Sequence, residues 1–97
     1  MRNLISANEF CISHNIEVSF ISSLHANGLI KVTTLEDTEF IQASQLQQLE
    51  KFVRFYYELD INLEGIETIN YLLQQMNHMQ DEITTLRNRL RLYETNE

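Results

Sequence analysis

The chain has few of the residues from which catalytic, metal and phosphate sites are commonly built. It contains no proline, two glycines (Gly28 and Gly65) and a single cysteine among its 97 residues. One cysteine excludes an internal disulfide and suits a reducing cytosol. The two glycines lie too far apart to form a glycine-rich loop around a phosphate group.

Long apolar runs are missing as well. No stretch approaches the ~20 apolar residues that a bilayer span needs, so no membrane association is expected. The first five residues, Met1 to Ile5, do not resemble the apolar core of a signal peptide. We therefore expect a cytoplasmic protein, including one held at the nucleoid through its partner.

Basic residues are also scarce, at 7 Lys and Arg against 14 Asp and Glu, which gives a formal net charge of −7. Residues 1–50 carry six acidic and two basic residues, and residues 51–97 carry eight and five. Neither half has the basic footprint of a nucleic-acid binder. An acidic surface favours basic protein partners, although acidic charge also serves solubility alone.

The last third of the chain, in contrast, has a long heptad pattern. Apolar residues recur there with the period of 3.5 that is typical of a coiled-coil seam. A single helix from Leu63 to Tyr93 would be on the order of 45 Å long, longer than a domain of this size is wide. A second copy is therefore the expected partner, in parallel or antiparallel orientation, and a lone helix folded back onto the head is the alternative. We call these residues the heptad stripe: Ile69, Met76, Ile83 and Leu90 at position a, and Leu72, Met79, Leu86 and Tyr93 at position d.

Two short helices are predicted near the beginning. Ser6 and Glu9 form a capping box, which starts a helix that ends near His14. A second helix is predicted from Val18 to Asn27, with Gly28 as the left-handed residue that follows it. Joined by a tight turn, the two helices form a helix-turn-helix.

A β-hairpin and a third helix follow. The predicted strands are residues 29–33 and 39–41, with Ile30, Val32 and Phe40 facing the helices. The third helix is predicted from Ser44 to Glu58, with Leu46, Leu49, Val53 and Tyr56 on one face. Phe52, Phe55, Tyr57 and Leu59 widen that face. Such a helix is either buried between the head and a dimer mate or exposes an aromatic patch that binds a partner.

The expected architecture is mainly α. Residues 1–62 form a winged helix-turn-helix head with a small β-hairpin wing, and residues 63–97 form a long coiled-coil helix for dimerisation. Asn62 is the predicted N-cap of that helix.

We find no catalytic site in the sequence, and expect neither an enzyme nor a cofactor, metal or small-molecule substrate. Cys11 and His14 have a C-x-x-H spacing, but a closed zinc site needs four ligands and no sequence-local partners are present. The favoured interpretation is a buried thiol beside a helix-end histidine.

The order of these elements resembles the MerR-type winged-helix architecture, and the chain is more closely similar to the CbpM family of chaperone modulators. The second resemblance spans nearly the whole chain. The residues that carry it are Glu9-Phe10-Cys11, Gly28-Leu29-Ile30, the acidic wing, Arg54, Tyr57-Glu58-Leu59-Asp60 and Gly65-Ile66.

The CbpM resemblance implies a non-enzymatic modulator. Such a protein binds the J-domain of a DnaJ-like, CbpA-type co-chaperone and keeps it from acting on its DnaK-type chaperone. MerR-type regulators instead bind DNA with the second helix, the wing and nearby arginines. A dimeric DNA-binding transcription regulator is therefore the alternative function. The uncharged second helix and the acidic wing predict weak or absent DNA binding.

The J-domain face that engages the chaperone is basic in the family resembled. The expected partner-binding residues are therefore the acids of the hairpin tip, Glu36, Asp37 and Glu39, with Phe55 and Tyr57 as further candidates. Hairpin acids that are merely solvated are the alternative.

Overall fold

The computed structural model describes residues 3–95, which are mainly helical with one small antiparallel sheet. The elements are β1 (Leu4–Ser6), α1 (Ala7–His14), α2 (Val18–Ala26), β2 (Thr33–Leu35), β3 (Thr38–Gln42), a 3-10 turn (Ala43–Gln45), α3 (Leu46–Val53), a π-helix (Arg54–Glu58) and α4 (Leu63–Thr95). The predicted fold class, a winged helix-turn-helix head followed by a long helix, is confirmed.

The ends of α1 and α2 follow from local chemistry. Ser6 Oγ accepts a hydrogen bond from the backbone N–H of Glu9 at 3.3 Å, as a capping box requires. Gly28, with φ of 74°, follows α2. The Gly28 N–H donates to the His25 carbonyl at 3.0 Å, and the Leu29 N–H donates to the Leu24 carbonyl at 2.9 Å. This pair of bonds is a Schellman motif, so the predicted role of Gly28 is confirmed.

The hairpin exists, but its first strand lies later in the chain than predicted. The strand predicted over residues 29–33 is wrong, because β2 spans Thr33–Leu35. The Leu29 N–H is already bonded to the end of α2 and cannot pair with a neighbouring strand. Ile30 is buried in the core, as predicted.

A third strand, β1, was not predicted. It pairs with β3, which places β3 at the centre of the sheet order β1-β3-β2. Ile5 lies opposite Ile41, and Ile41 is fully buried. The predicted inward position of Phe40 is wrong, since neighbouring side chains on a strand point to opposite faces and Ile41 takes the core position.

The hydrophobic core lies between the helices and the sheet. Its fully buried members are Ile21, Leu24, Ile41, Leu49, Phe52 and Ile66. In the third helix the predicted apolar face is partly wrong. Phe52 is buried, whereas Tyr56 stays 39% exposed because the helix widens into the π-helix after Val53.

The long helix begins at Leu63, where it was predicted to begin. Asn62 caps it, because its Oδ1 accepts a hydrogen bond from the Gly65 N–H at 2.8 Å. The chain divides into two compact units, a head unit that ends at Glu67 and a helical unit that begins at Thr68. None of the described helices is long and apolar enough to cross a membrane.

Candidate functional site

The wing tip holds its acidic residues on a well-defined backbone. Glu36 and Asp37 are the two turn residues between β2 and β3, and both have left-handed φ values, 49° and 64°. A two-residue turn with two positive φ angles matches the twist of the flanking strands. Because β3 pairs with β2 up to this turn, the exposed carboxylates of Glu36, Asp37 and Glu39 are carried at the end of the hairpin rather than by a free loop.

A groove of about 510 Å³ lies beside the wing. We call it the wing groove. Among the residues that the structure describes, its charged lining residues are Asp37 and Glu39, and none of the lining residues is basic. The remaining lining residues come from the starts of α1 and α2 and from the hairpin: Ser6, Ala7, Asn8, Val18, Thr34 and Thr38. The fold thus places two of the three predicted wing acids next to the beginning of the second helix.

The second helix of the helix-turn-helix carries no lysine or arginine along its length. Glu17 precedes it, and the Ser19 hydroxyl donates to Glu17 Oε1 at 3.2 Å. A helix that contacts DNA phosphates normally presents cations to them. Neither the wing nor α2 presents such cations.

Comparison with known proteins gives a family. The family model of the MerR HTH family regulatory proteins matches residues 5–88. The chain belongs to this family. Searches of curated proteins and of solved structures found no match to the chain. The MerR-like side of the resemblance is therefore confirmed, and the CbpM-like side stays a prediction.

The two predicted aromatic site residues of this MerR-family chain, Phe55 and Tyr57, have different surroundings in the structure. Phe55 is partly buried and packs against the core, whereas Tyr57 is 40% exposed. Tyr57 belongs to a surface cluster with Phe20 and Tyr56, whose ring centroids lie 5.4 Å and 5.0 Å from that of Tyr57. The hydroxyl of Tyr57 accepts a hydrogen bond from the Glu17 N–H at 3.3 Å.

Sequence reasoning missed the role of Tyr56 in this cluster. The centroid of its ring lies 4.7 Å from that of Phe20. The prediction placed Tyr56 on the buried face because regular α-helical spacing from Leu49 and Val53 leads there. A pair of consecutive tyrosines was the available signal, but the π-helix that turns both toward Phe20 has no clear sequence pattern.

The two residues of the C-x-x-H pair have different surroundings in the structure. Cys11 is buried, and burial raises the pKa of its thiol above the ordinary value. The His14 ring stacks on Phe10 at a centroid distance of 3.9 Å, and its Nε2 lies 3.6 Å from the Glu50 carboxylate. Within residues 3–95, no group of three or more histidine, cysteine or acidic side chains is placed to hold a metal ion.

The heptad stripe lies on α4, as its spacing predicts. In the single chain Ile69 is half-buried, and the exposed fraction of the other members runs from 44% for Ile83 to 76% for Tyr93. An apolar row this exposed is unusual on a soluble monomer. The stripe remains the predicted dimer interface.

Proposed function

We propose that the chain is a non-enzymatic, cytoplasmic modulator. It binds the J-domain of a DnaJ-like, CbpA-type co-chaperone and inhibits the action of that co-chaperone on a DnaK-type chaperone. The observation that carries the proposal is the acidic, sheet-supported wing tip on a head whose second helix has no cation.

The charge of the chain is concentrated in the head unit. Up to Glu67 the sequence has ten acidic and four basic residues, whereas from Thr68 onward it has four and three. A net negative charge of this kind speeds association with a positively charged partner and opposes binding to phosphate groups. It supports a basic protein partner over DNA.

The resemblance to the CbpM family supplies the class of that partner. In the family resembled, the modulator covers the basic J-domain face that engages the chaperone. Glu36, Asp37 and Glu39 meet that requirement, since all three are exposed at one end of the sheet. We propose that this wing tip is the contact surface for the J-domain.

The test removes charge from the wing without straining its turn. Both turn residues have positive φ, so Glu36→Asn with Asp37→Gly introduces the Asn-Gly pair that such turns prefer. We expect titration calorimetry against the cognate J-domain to show at least tenfold weaker binding, about 1.4 kcal/mol. The thermal midpoint should stay the same or rise.

A matched control removes two charges elsewhere. Asp81→Asn with Glu82→Gln changes the net charge equally, but on the helical unit. This variant should bind the J-domain like the wild type. Equal affinity of the wing variant and the wild type would remove the wing from the interface, and no binding by the wild type would refute the proposed function.

A dimeric, MerR-like DNA-binding transcription regulator is the second candidate. The match to the MerR HTH family regulatory proteins favours it. In the head unit, the described basic residues are Lys31, Lys51 and Arg54. Because the four basic residues of the head unit are outnumbered by its ten acidic residues, we expect weak or no DNA binding.

The discriminating measurement is fluorescence anisotropy with mixed duplex DNA at ~50 mM salt, a condition that strengthens phosphate attraction. Sub-micromolar binding with a preference for one sequence would favour the transcription regulator.

We further propose that the protein acts as a homodimer through the heptad stripe. The support is the exposed apolar row along α4, which a coiled coil with a second copy would bury.

A further inference from the structure

We infer that the head unit carries a second binding site, which takes the cationic side chain of an arginine or lysine from a protein partner. The site is a groove of about 400 Å³ lined by Tyr56, Tyr57, Asp60, Ile61 and Asn62. We call it the aromatic groove. It shares no lining residue with the wing groove.

The π-helix builds the aromatic wall of this groove. The Leu59 N–H donates to the Arg54 carbonyl at 3.1 Å, the five-residue spacing of a π turn. This wide turn brings two consecutive tyrosines onto the same buried ring, that of Phe20. Their own rings lie 5.0 Å apart at 73°. Single π turns of this kind occur often at functional sites.

The tyrosine rings are both held in place and accessible. Phe20, 4% exposed, supports them from the core side, and the Tyr57 hydroxyl is bonded to the Glu17 N–H. The two tyrosines nevertheless keep 39% and 40% of their surface exposed. The electron-rich face of an ordered aromatic ring attracts ammonium and guanidinium groups, and arginine most often.

The charge of the groove selects the same ligand. Of the described residues that line it, Asp60 is charged and none is basic. Within residues 3–95, no cationic side chain lies within ion-pair distance of the Asp60 carboxylate. A cation in the groove would meet tyrosine faces and a carboxylate together, whereas an anion would be repelled by Asp60. Charge complementarity therefore points to a basic segment of a protein.

The start of α2 connects the two grooves. Glu17 bonds to Tyr57 of the aromatic groove, and the next residue, Val18, lines the wing groove. The two grooves are therefore linked through adjacent residues of the chain. The aromatic groove is nevertheless argued from its own residues, and its test does not use a J-domain.

The probe is a twelve-residue peptide with four repeats of Arg-Gly-Ser, added to the isotope-labelled full chain at ~50 mM salt, where charge screening is weak. We expect saturable NMR shift changes at Tyr56, Tyr57 and Asp60, with a dissociation constant in the millimolar range or tighter. The same peptide with citrulline in place of arginine has nearly the same shape and no charge. It should leave these signals unchanged.

One pair of variants tests the role of the carboxylate. Asp60 has a positive φ of 56°, a conformation that asparagine also tolerates. Asp60→Asn should weaken binding at the groove signals about fivefold, about 1 kcal/mol. Asp81→Asn makes the same chemical change on the helical unit and should leave the affinity measured at those signals within twofold of wild type.

A second pair tests the role of the ring. Tyr56→Leu keeps apolar contact with Phe20 but removes the aromatic face, and should weaken the peptide about fivefold. Tyr56→Phe keeps the face and should bind like the wild type.

Three results would overturn the inference. The first is no saturable shift at the groove in the wild type. The second is equal weakening by Asp60→Asn and Asp81→Asn, which would mean general electrostatic attraction. The third is a change in oligomeric mass of Tyr56→Leu in light scattering, which would assign this face to contact with a second copy.

Discussion

Several non-glycine residues of the head have the left-handed backbone conformation, which is more favourable for some residue types than for others. The non-glycine residues with positive φ in the described chain are Asn15, Glu36, Asp37 and Asp60. Asparagine and aspartate tolerate this left-handed region because their short polar side chains bond locally, whereas glutamate does not share this advantage. At the wing tip, Glu36 exposes its carboxylate but has a left-handed backbone conformation that is unfavourable for glutamate.

We predict that Glu36→Asn raises the free energy of unfolding by about 0.5–1 kcal/mol, because asparagine is more stable in the left-handed conformation. Urea denaturation measures the change. Glu39→Gln is the control, since it removes an acidic charge from the same hairpin without altering the turn. Equal stabilisation by both variants would assign the gain to charge repulsion instead.

Cys11 is predicted to make stability depend on alkaline pH. Burial raises the pKa of its thiol in the folded state, so the unfolded state ionises first as the pH rises past about 8.5. The thiol's contribution is complete below that pH and is lost as the pH rises toward the folded-state pKa. The stability advantage of the wild type over Cys11→Ala should therefore shrink between pH 8 and pH 10 in denaturant titrations. A constant difference would contradict this prediction.

At the scale of elements, the N-terminus of α4 is held by a side-chain cap and by packing in the core of the head. The Asn62 side chain accepts the Gly65 N–H, and Ile66, in the same first turn, is fully buried. A Cβ on Gly65 would lie 2.7 Å from Ile61 Cγ2, so this turn also needs the absence of a side chain. The start of the helix is thus determined by both a hydrogen bond and close packing.

We predict that Asn62→Ala lowers the free energy of unfolding by about 1 kcal/mol, because one N–H of the first helical turn loses its partner. Asn62→Ser keeps a capping oxygen and should cost less. Thermal melting followed by circular dichroism compares the two. Unchanged stability of Asn62→Ala would show that solvent replaces the cap without loss.

At the scale of the whole molecule, the heptad stripe is a long exposed apolar row on α4. Full burial of a leucine, isoleucine or methionine side chain contributes roughly 1.5–3 kcal/mol. Seven such residues with a tyrosine give a second copy ample surface to bury. Dimerisation would therefore add stability that a small head obtains only in part from its own core.

We predict that light scattering at micromolar concentration gives twice the chain mass and that Ile83→Asp halves it. A buried aspartate in an apolar seam has no partner for its charge. Thr84→Asp places the same charge one residue away, off the stripe, and should leave the mass unchanged. A monomeric wild type would end the dimer hypothesis.

The sequence by itself determined the features that depend on neighbouring residues. The N-cap Ser6, the left-handed Gly28 and the N-cap Asn62 act within a few positions of the chain, and all three are confirmed. The acidic wing tip was predictable for the same reason, since a hairpin turn exposes whatever residues it contains.

Only the tertiary structure decided the features that depend on distant partners. β1 forms because Ile5 pairs with Ile41 of β3. The same pairing places Ile41 rather than Phe40 in the core. The aromatic groove needs Phe20 beneath two tyrosines more than thirty positions later, in a π-helix whose spacing departs from the regular helical period. Contacts between distant segments are selected by packing of the whole core, and local sequence patterns do not encode them.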